Sequence, residues 1–240
     1  MHFLSGLVFL PLVLKTVASS PNLQSRQGAV AFFQPSLNGG SQLDNAGDGF
    51  GEPLNVIISA LSSPGVLTDA GILNWARSVN FSTECLDQHL GGPQTANLGD
   101  GNGFTNQTAE IREDFGNALL GTCLESLIGG NHFRYWRQNG PEANTGALFL
   151  ARPNLNHTPE EAYPKRKKNL SENHTIAPNG YDVGRDALVA SATSAPTSFG
   201  GVTYTATSET ITGLLPVGSQ GVNHGIALDG IVKLLTITIQ

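Results

Sequence analysis

The stretch His132-Phe133-Arg134-Tyr135-Trp136-Arg137-Gln138-Asn139-Gly140-Pro141 decides how this chain folds. Its residues alternate in character and then run into Asn-Gly-Pro, which is turn chemistry. A compact apolar run follows, Ala147-Leu148-Phe149-Leu150-Ala151. Together they predict a β-hairpin. Because strand side chains alternate, His132, Arg134 and Trp136 share one face, and Phe133, Tyr135 and Arg137 the other.

Upstream, Leu54-Asn55-Val56-Ile57-Ile58-Ser59 reads as a β-branched strand. Ser63 and Pro64 then predict the start of a helix carrying Val66, Leu67, Ala70, Ile72, Leu73, Ala76 and Val79. A second helical pattern runs from Ile111 to Leu127 and stops at Gly129-Gly130. Residues 20–52 are rich in Gly, Asn, Ser and Gln and predict a flexible lead-in. Asp44 to Gly51 and Gly99 to Gly103 lack the spacing of a calcium loop and read as turns.

Downstream, residues 152–173 hold most of the basic residues and almost nothing apolar, which predicts an exposed, disordered insertion. Asp182 to Ala190 reads as a short helix, and Val202, Tyr204 and Ala206 alternate with threonines as a strand. A glycine-rich loop around His224 leads into a last strand, Ile231 to Ile239. The expected fold is α+β: one domain over residues 53–240, with a largely antiparallel sheet, two or three packed helices and a polar surface insertion.

The N-terminus carries an apolar run from Phe3 to Leu14, too short to cross a bilayer, followed by Thr16-Val17-Ala18-Ser19-Ser20. This predicts a signal peptide over residues 1–19, a secreted protein, and no transmembrane segment in the mature chain. The alternatives are an uncleaved anchor and a lipid anchor at Gly218-Ser219, the latter opposed by the strand pattern and Lys233 of the C-terminal tail. Sequons at Asn80, Asn106, Asn156, Asn169 and Asn173 agree with export and N-glycosylation. Cys85 and Cys123 are the only cysteines. In an oxidising compartment they predict a disulfide, with a reactive thiol as the rival reading. Lys165-Arg166, in the insertion, is the expected site of dibasic processing. Charged residues make up 13% of the chain and the net charge is −6, which supports neither a nucleic-acid nor an anionic-membrane footprint.

The chemistry-bearing residues gather in two blocks on either side of the insertion. His132, Arg134 and Trp136 form the first; His174, Asp182, Arg185 and Asp186 form the second, with His224 further on. Three readings compete. Arg134 and Arg185 could pair with the aspartates to hold the fold together. His132, His174, His224 and Asp182 could instead ligate a divalent metal and activate water. Or Arg134, Arg137 and Arg185 could clamp an anion while Trp136 offers a face to a glycan. No Gly-x-Ser-x-Gly elbow, phosphate-binding loop or dinucleotide fingerprint appears in the chain.

Pro53 to Ser59, Asn97 to Gly103, Gly129 to Arg134, Asn179 to Asp186 and Asn223-His224-Gly225 resemble a family of uncharacterised secreted fungal proteins. More remotely, the order of His132, Arg134 and Trp136, then His174, Ile176, Pro178, Arg185 and Asp186, resembles the LssY C-terminal-like domain of bacterial envelope proteins. The resemblance implies that the two blocks belong together and adds weight to the anion site, by analogy only. The expectation is a secreted binding or matrix-associated protein for an anionic or glycan ligand. The alternative is an extracellular hydrolase of phosphoesters or glycans, with a divalent metal as its possible cofactor.

Overall fold

The computed structural model describes residues 30–89, 91–128, 130–154 and 178–240. Ten strands and three α-helices occupy them: β1 Val56–Ile58, α1 Asp69–Ser78, β2 Phe81–Thr83, β3 Thr95–Asn97, β4 Phe104–Asn106, β5 Ala109–Glu113, α2 Gly121–Ile128, β6 His132–Arg137, β7 Leu148–Ala151, α3 Gly180–Thr193, β8 Thr197–Phe199, β9 Val202–Thr212 and β10 Ile231–Ile239. Eight strands form one sheet in the order β2-β5-β6-β7-β1-β10-β9-β8, and β3 with β4 forms a separate hairpin. Every pairing in the large sheet is antiparallel except β1 with β10. The chain is a single α+β domain.

The central strands are continuous apolar runs because both of their faces are covered. Val56, Ile58, Phe133, Tyr135, Leu148, Leu150, Leu235 and Ile237 point to the face packed by α1 and α3, where Ile72, Trp75, Ala76, Leu188 and Ala192 meet them. Ile57, Trp136, Phe149, Ala151, Val232 and Leu234 point to the other. Among the described residues no long helix lies along that second face, which α3 reaches through Tyr181. It is closed by residues 30–55, the β3–β4 hairpin and the 214–228 loop, which contribute Leu54, Ala96, Leu98, Leu215, Val222 and Leu228.

The segment expected to be a flexible lead-in is therefore packed from residue 30 onward. Gln42, Asp44 and Glu52 are buried in it. Gln138, at the end of β6, binds Phe33 through both its amide N–H and carbonyl oxygen, which pins this segment across the sheet. The insertion at 152–173 lies outside the described residues from position 155, so the Lys165-Arg166 expectation does too.

Two helix boundaries differ from expectation. Thr68, not Ser63, caps α1, its hydroxyl accepting from Gly71 N–H at 3.0 Å. Ser63 instead accepts from Ile239 N–H and fastens the turn to β10. The pattern from Ile111 splits: residues 109–113 are β5, and the helix begins only at Gly121. Gly121 is required there, because a Cβ would fall 1.5 Å from the Asp114 carbonyl oxygen.

Candidate functional site

The β5–β6 ladder sets the chemistry of the second face. Glu110 stands opposite Arg134, and Arg112 opposite His132. Two strands with charges at i and i+2 thus bring four polar side chains onto one surface. Glu110 is shared: its Oε2 lies 3.0 Å from Arg134 Nη2 and its Oε1 2.6 Å from Arg112 Nη2. Arg134 also reaches Glu52 at 3.2 Å and the Nε2 of His132 at 2.9 Å. Arg112 also reaches Glu125 on α2 at 2.9 Å and Glu84 at 3.3 Å.

At one end of this lattice is Asp44, whose Oδ1 accepts from Glu52 N–H at 2.6 Å. Burial, and after it the charge of Glu52, pushes its carboxyl up to about 8. At the other end is a cleft of about 280 Å³ lined by Thr83, Glu84, Asp87, His89, Gln107 and Glu110 among others. His89 Nδ1 lies 2.8 Å from Glu84 Oε2. One ligand atom each from Glu84, His89 and Glu110 lie within 4.8 Å of one another.

Among the described residues, Glu52, Glu84, Glu110 and Glu125 bring four carboxylates to the two guanidinium groups of Arg112 and Arg134, while the Asp44 carboxyl keeps its proton at neutral pH. Burial by itself would lower the pKa of Arg112, but Glu110, Glu125 and Glu84 outweigh it and hold the guanidinium firmly protonated. Of these carboxylates, Glu84 and Glu110 line the cleft.

The first sequence block is on this face as expected, but its groups are already engaged. Arg134 is bound to two carboxylates, and Trp136 is 1% exposed beneath the loops. Arg137, on the opposite face, binds Asp69 at 2.5 Å and the Leu67 carbonyl. Among the described residues, Asp182, Arg185 and Asp186 of the second block form a network of their own. Arg185, 1% exposed, makes a bidentate pair with Asp229 at 2.7 and 2.8 Å. It also donates to the Ile231 carbonyl, Asp186 and Asp182. Hydrogen bonding from Arg185 lowers the Asp229 pKa, while burial and Asp229 raise that of Asp182. This arrangement ties α3 to the start of β10.

His224 is exposed in a turn at φ 60°, its N–H donating to the Asn223 side chain. His174 lies outside the described residues. Among the described residues, the group placed to hold a metal is Glu84, His89 and Glu110, and His132, Asp182 and His224 are not in it. The Cys85–Cys123 disulfide is formed, and it fastens the 3-10 turn Cys85–Asp87, next to Glu84 and His89, onto α2. Asn80 and Asn106 are exposed, and the other three sequon asparagines lie outside the described residues.

Sequence reasoning missed Asp44, Glu52, Glu84, His89, Glu110, Arg112 and Glu125. The usable signal was Glu110-x-Arg112, which mirrors His132-x-Arg134 at strand spacing, but the helical pattern through Leu127 masked it. It also missed Arg152, buried on the helical face over the Phe81 ring at 5.1 Å and pushed down to about 10 by burial. Comparison of the chain with protein-family models, curated proteins and solved structures finds no match.

Proposed function

We propose that this is a secreted, N-glycosylated, disulfide-bonded binding protein whose ligand is a divalent transition-metal cation, held by Glu84, His89 and Glu110. The observation that carries the reading is the convergence of these three ligand groups at the cleft end of a lattice in which, among the described residues, carboxylates outnumber guanidinium groups. A cation there adds positive charge beside Glu84 and Glu110, which share the Arg112 guanidinium. An anion or a stacked sugar would find Arg134 and Arg185 already paired and Trp136 buried.

The donor set selects the ion. One imidazole with two carboxylates suits zinc, manganese or iron better than calcium or magnesium, which take oxygen ligands. Arg112 contacts Glu84 and Glu110, yet each carboxylate oxygen has a second lone pair for the metal. Binding exchanges the His89–Glu84 hydrogen bond for two metal bonds. Secretion and glycosylation are supported by the signal-like N-terminus, the sequons and the disulfide.

A second reading is a metal-dependent extracellular hydrolase. The cleft favours it, since about 280 Å³ beside the ligands leaves room for a water and a substrate group. Calorimetric titration of the secreted, chelator-treated protein with zinc and manganese tests the first reading. One ion per chain is expected, with affinity at least about tenfold weaker in His89→Ala and Glu84→Gln. Absence of stoichiometric binding, or binding untouched by both substitutions, contradicts it. Phosphoester hydrolysis by the loaded protein, lost in His89→Ala, would establish the second reading.

A further inference from the structure

Helix α2 is inside out. Glu125 is 1% exposed and bound to Arg112, and Thr122 is buried as well, while Leu124, Leu127 and Ile128, with Leu120 just ahead of the helix, face solvent. A surface helix normally does the reverse. The apolar surface continues past the helix at both ends. Leu119 is 82% exposed just before it. Phe115, also exposed, lies against its far end, where a Cβ on Gly130 would meet the Phe115 ring at 3.3 Å. The Cys85–Cys123 disulfide adds Leu86, 74% exposed and held at φ 54°, a conformation that bulky residues rarely adopt.

From Phe115 to Gly130 the only charged residue is the buried Glu125. The seven exposed side chains together offer on the order of 700 Å² of apolar surface, above the usual largest patch on a monomer. This is close to the ~800 Å² that each partner gives to a standard interface.

We propose that this face is the interface of a homodimer, in which α2 packs against α2 of a second copy across a two-fold axis. Leu120, Leu124 and Leu127 recur at spacings of four and three, the seam along which two helices pair. A two-fold contact needs only this one patch, present on both copies. A lipid surface suits it less well. The chain's net charge of −6 disfavours anionic headgroups. The disulfide and the Glu125–Arg112 pair hold the patch rigid, so little ordering entropy is lost on association.

Light scattering coupled to size exclusion, on the full oxidised chain over a range of micromolar concentrations, tests the proposal. The mass of two chains is expected. Leu124→Glu with Leu127→Glu should give the mass of one chain, because both residues are exposed, with circular dichroism and thermal midpoint unchanged. A single-chain mass for the natural protein at every concentration overturns the proposal, as does a two-chain mass that survives the double substitution. Co-sedimentation of a monomeric natural protein with phosphatidylcholine vesicles, lost in the variant, would also overturn it and assign the patch to lipid.

Discussion

Glu110 stands between two guanidinium groups, 2.6 Å from Arg112 and 3.0 Å from Arg134, with its side chain almost wholly buried. It links the interior lattice to the cleft. A buried ion pair adds little stability over a well-packed apolar pair, but removing one partner leaves the others charged and unpaired. Glu110→Gln should therefore cost about 3 kcal/mol in chemical denaturation. Glu84→Gln, at the more open end, should cost under about 1 kcal/mol. Equal costs for the two would show that Glu110 is not the keystone of the lattice.

Asp44 makes stability depend on pH. Its carboxyl is raised from 3.8 to about 8 in the fold by burial and by Glu52. The folded state thus holds a proton that the unfolded chain releases near pH 4. Stability from this group is fully present below pH 4 and declines as pH rises through 8. Asp44→Asn should remove that decline, stabilising the protein by a few kcal/mol at most at pH 8.5 and not at all at pH 3.5. Parallel stability curves for the two proteins across this range would contradict the assignment.

Arg185 binds Asp229 through both of its terminal nitrogens. Lysine keeps the charge but cannot form this fork. Both Arg185→Lys and Arg185→Ala should lower the thermal midpoint, with alanine losing about 3 kcal/mol because Asp182 and Asp229 are left facing each other. His224→Ala should leave it unchanged, since that ring is exposed. Metal affinity should not move in any of the three. A loss of metal binding in Arg185→Lys would place the second sequence block in the site after all.

The disulfide closes a separation of 38 residues and holds the turn that carries Leu86 and Asp87 between Glu84 and His89. Cys85→Ser with Cys123→Ser should cost about 4 kcal/mol by loop entropy. It should also weaken metal binding, because the turn no longer fixes the spacing of the two ligands. Unchanged affinity in the reduced but still folded protein would detach the turn from the site.

The hairpin of β6 and β7 was legible because alternation and turn chemistry are local. So were β1, α3 and β10, whose patterns match their period. What escaped was non-local. The β5 strand was hidden in a helical pattern, and only its pairing with β6 makes Glu110 face Arg134. Asp44 and Glu52 looked like part of a loose polar segment because composition carries no record of packing against a distant sheet. His132, Arg134 and Trp136 were found together as expected, but burial and ion pairing, which no spacing reveals, turned them from ligand contacts into supports for the lattice.

The most direct measurement is anomalous diffraction at the metal absorption edge from crystals of the secreted protein grown with zinc or manganese. One peak is expected, bonded to Glu84, His89 and Glu110. A peak at His132, Asp182 or His224, or no peak in the cleft, would contradict the account.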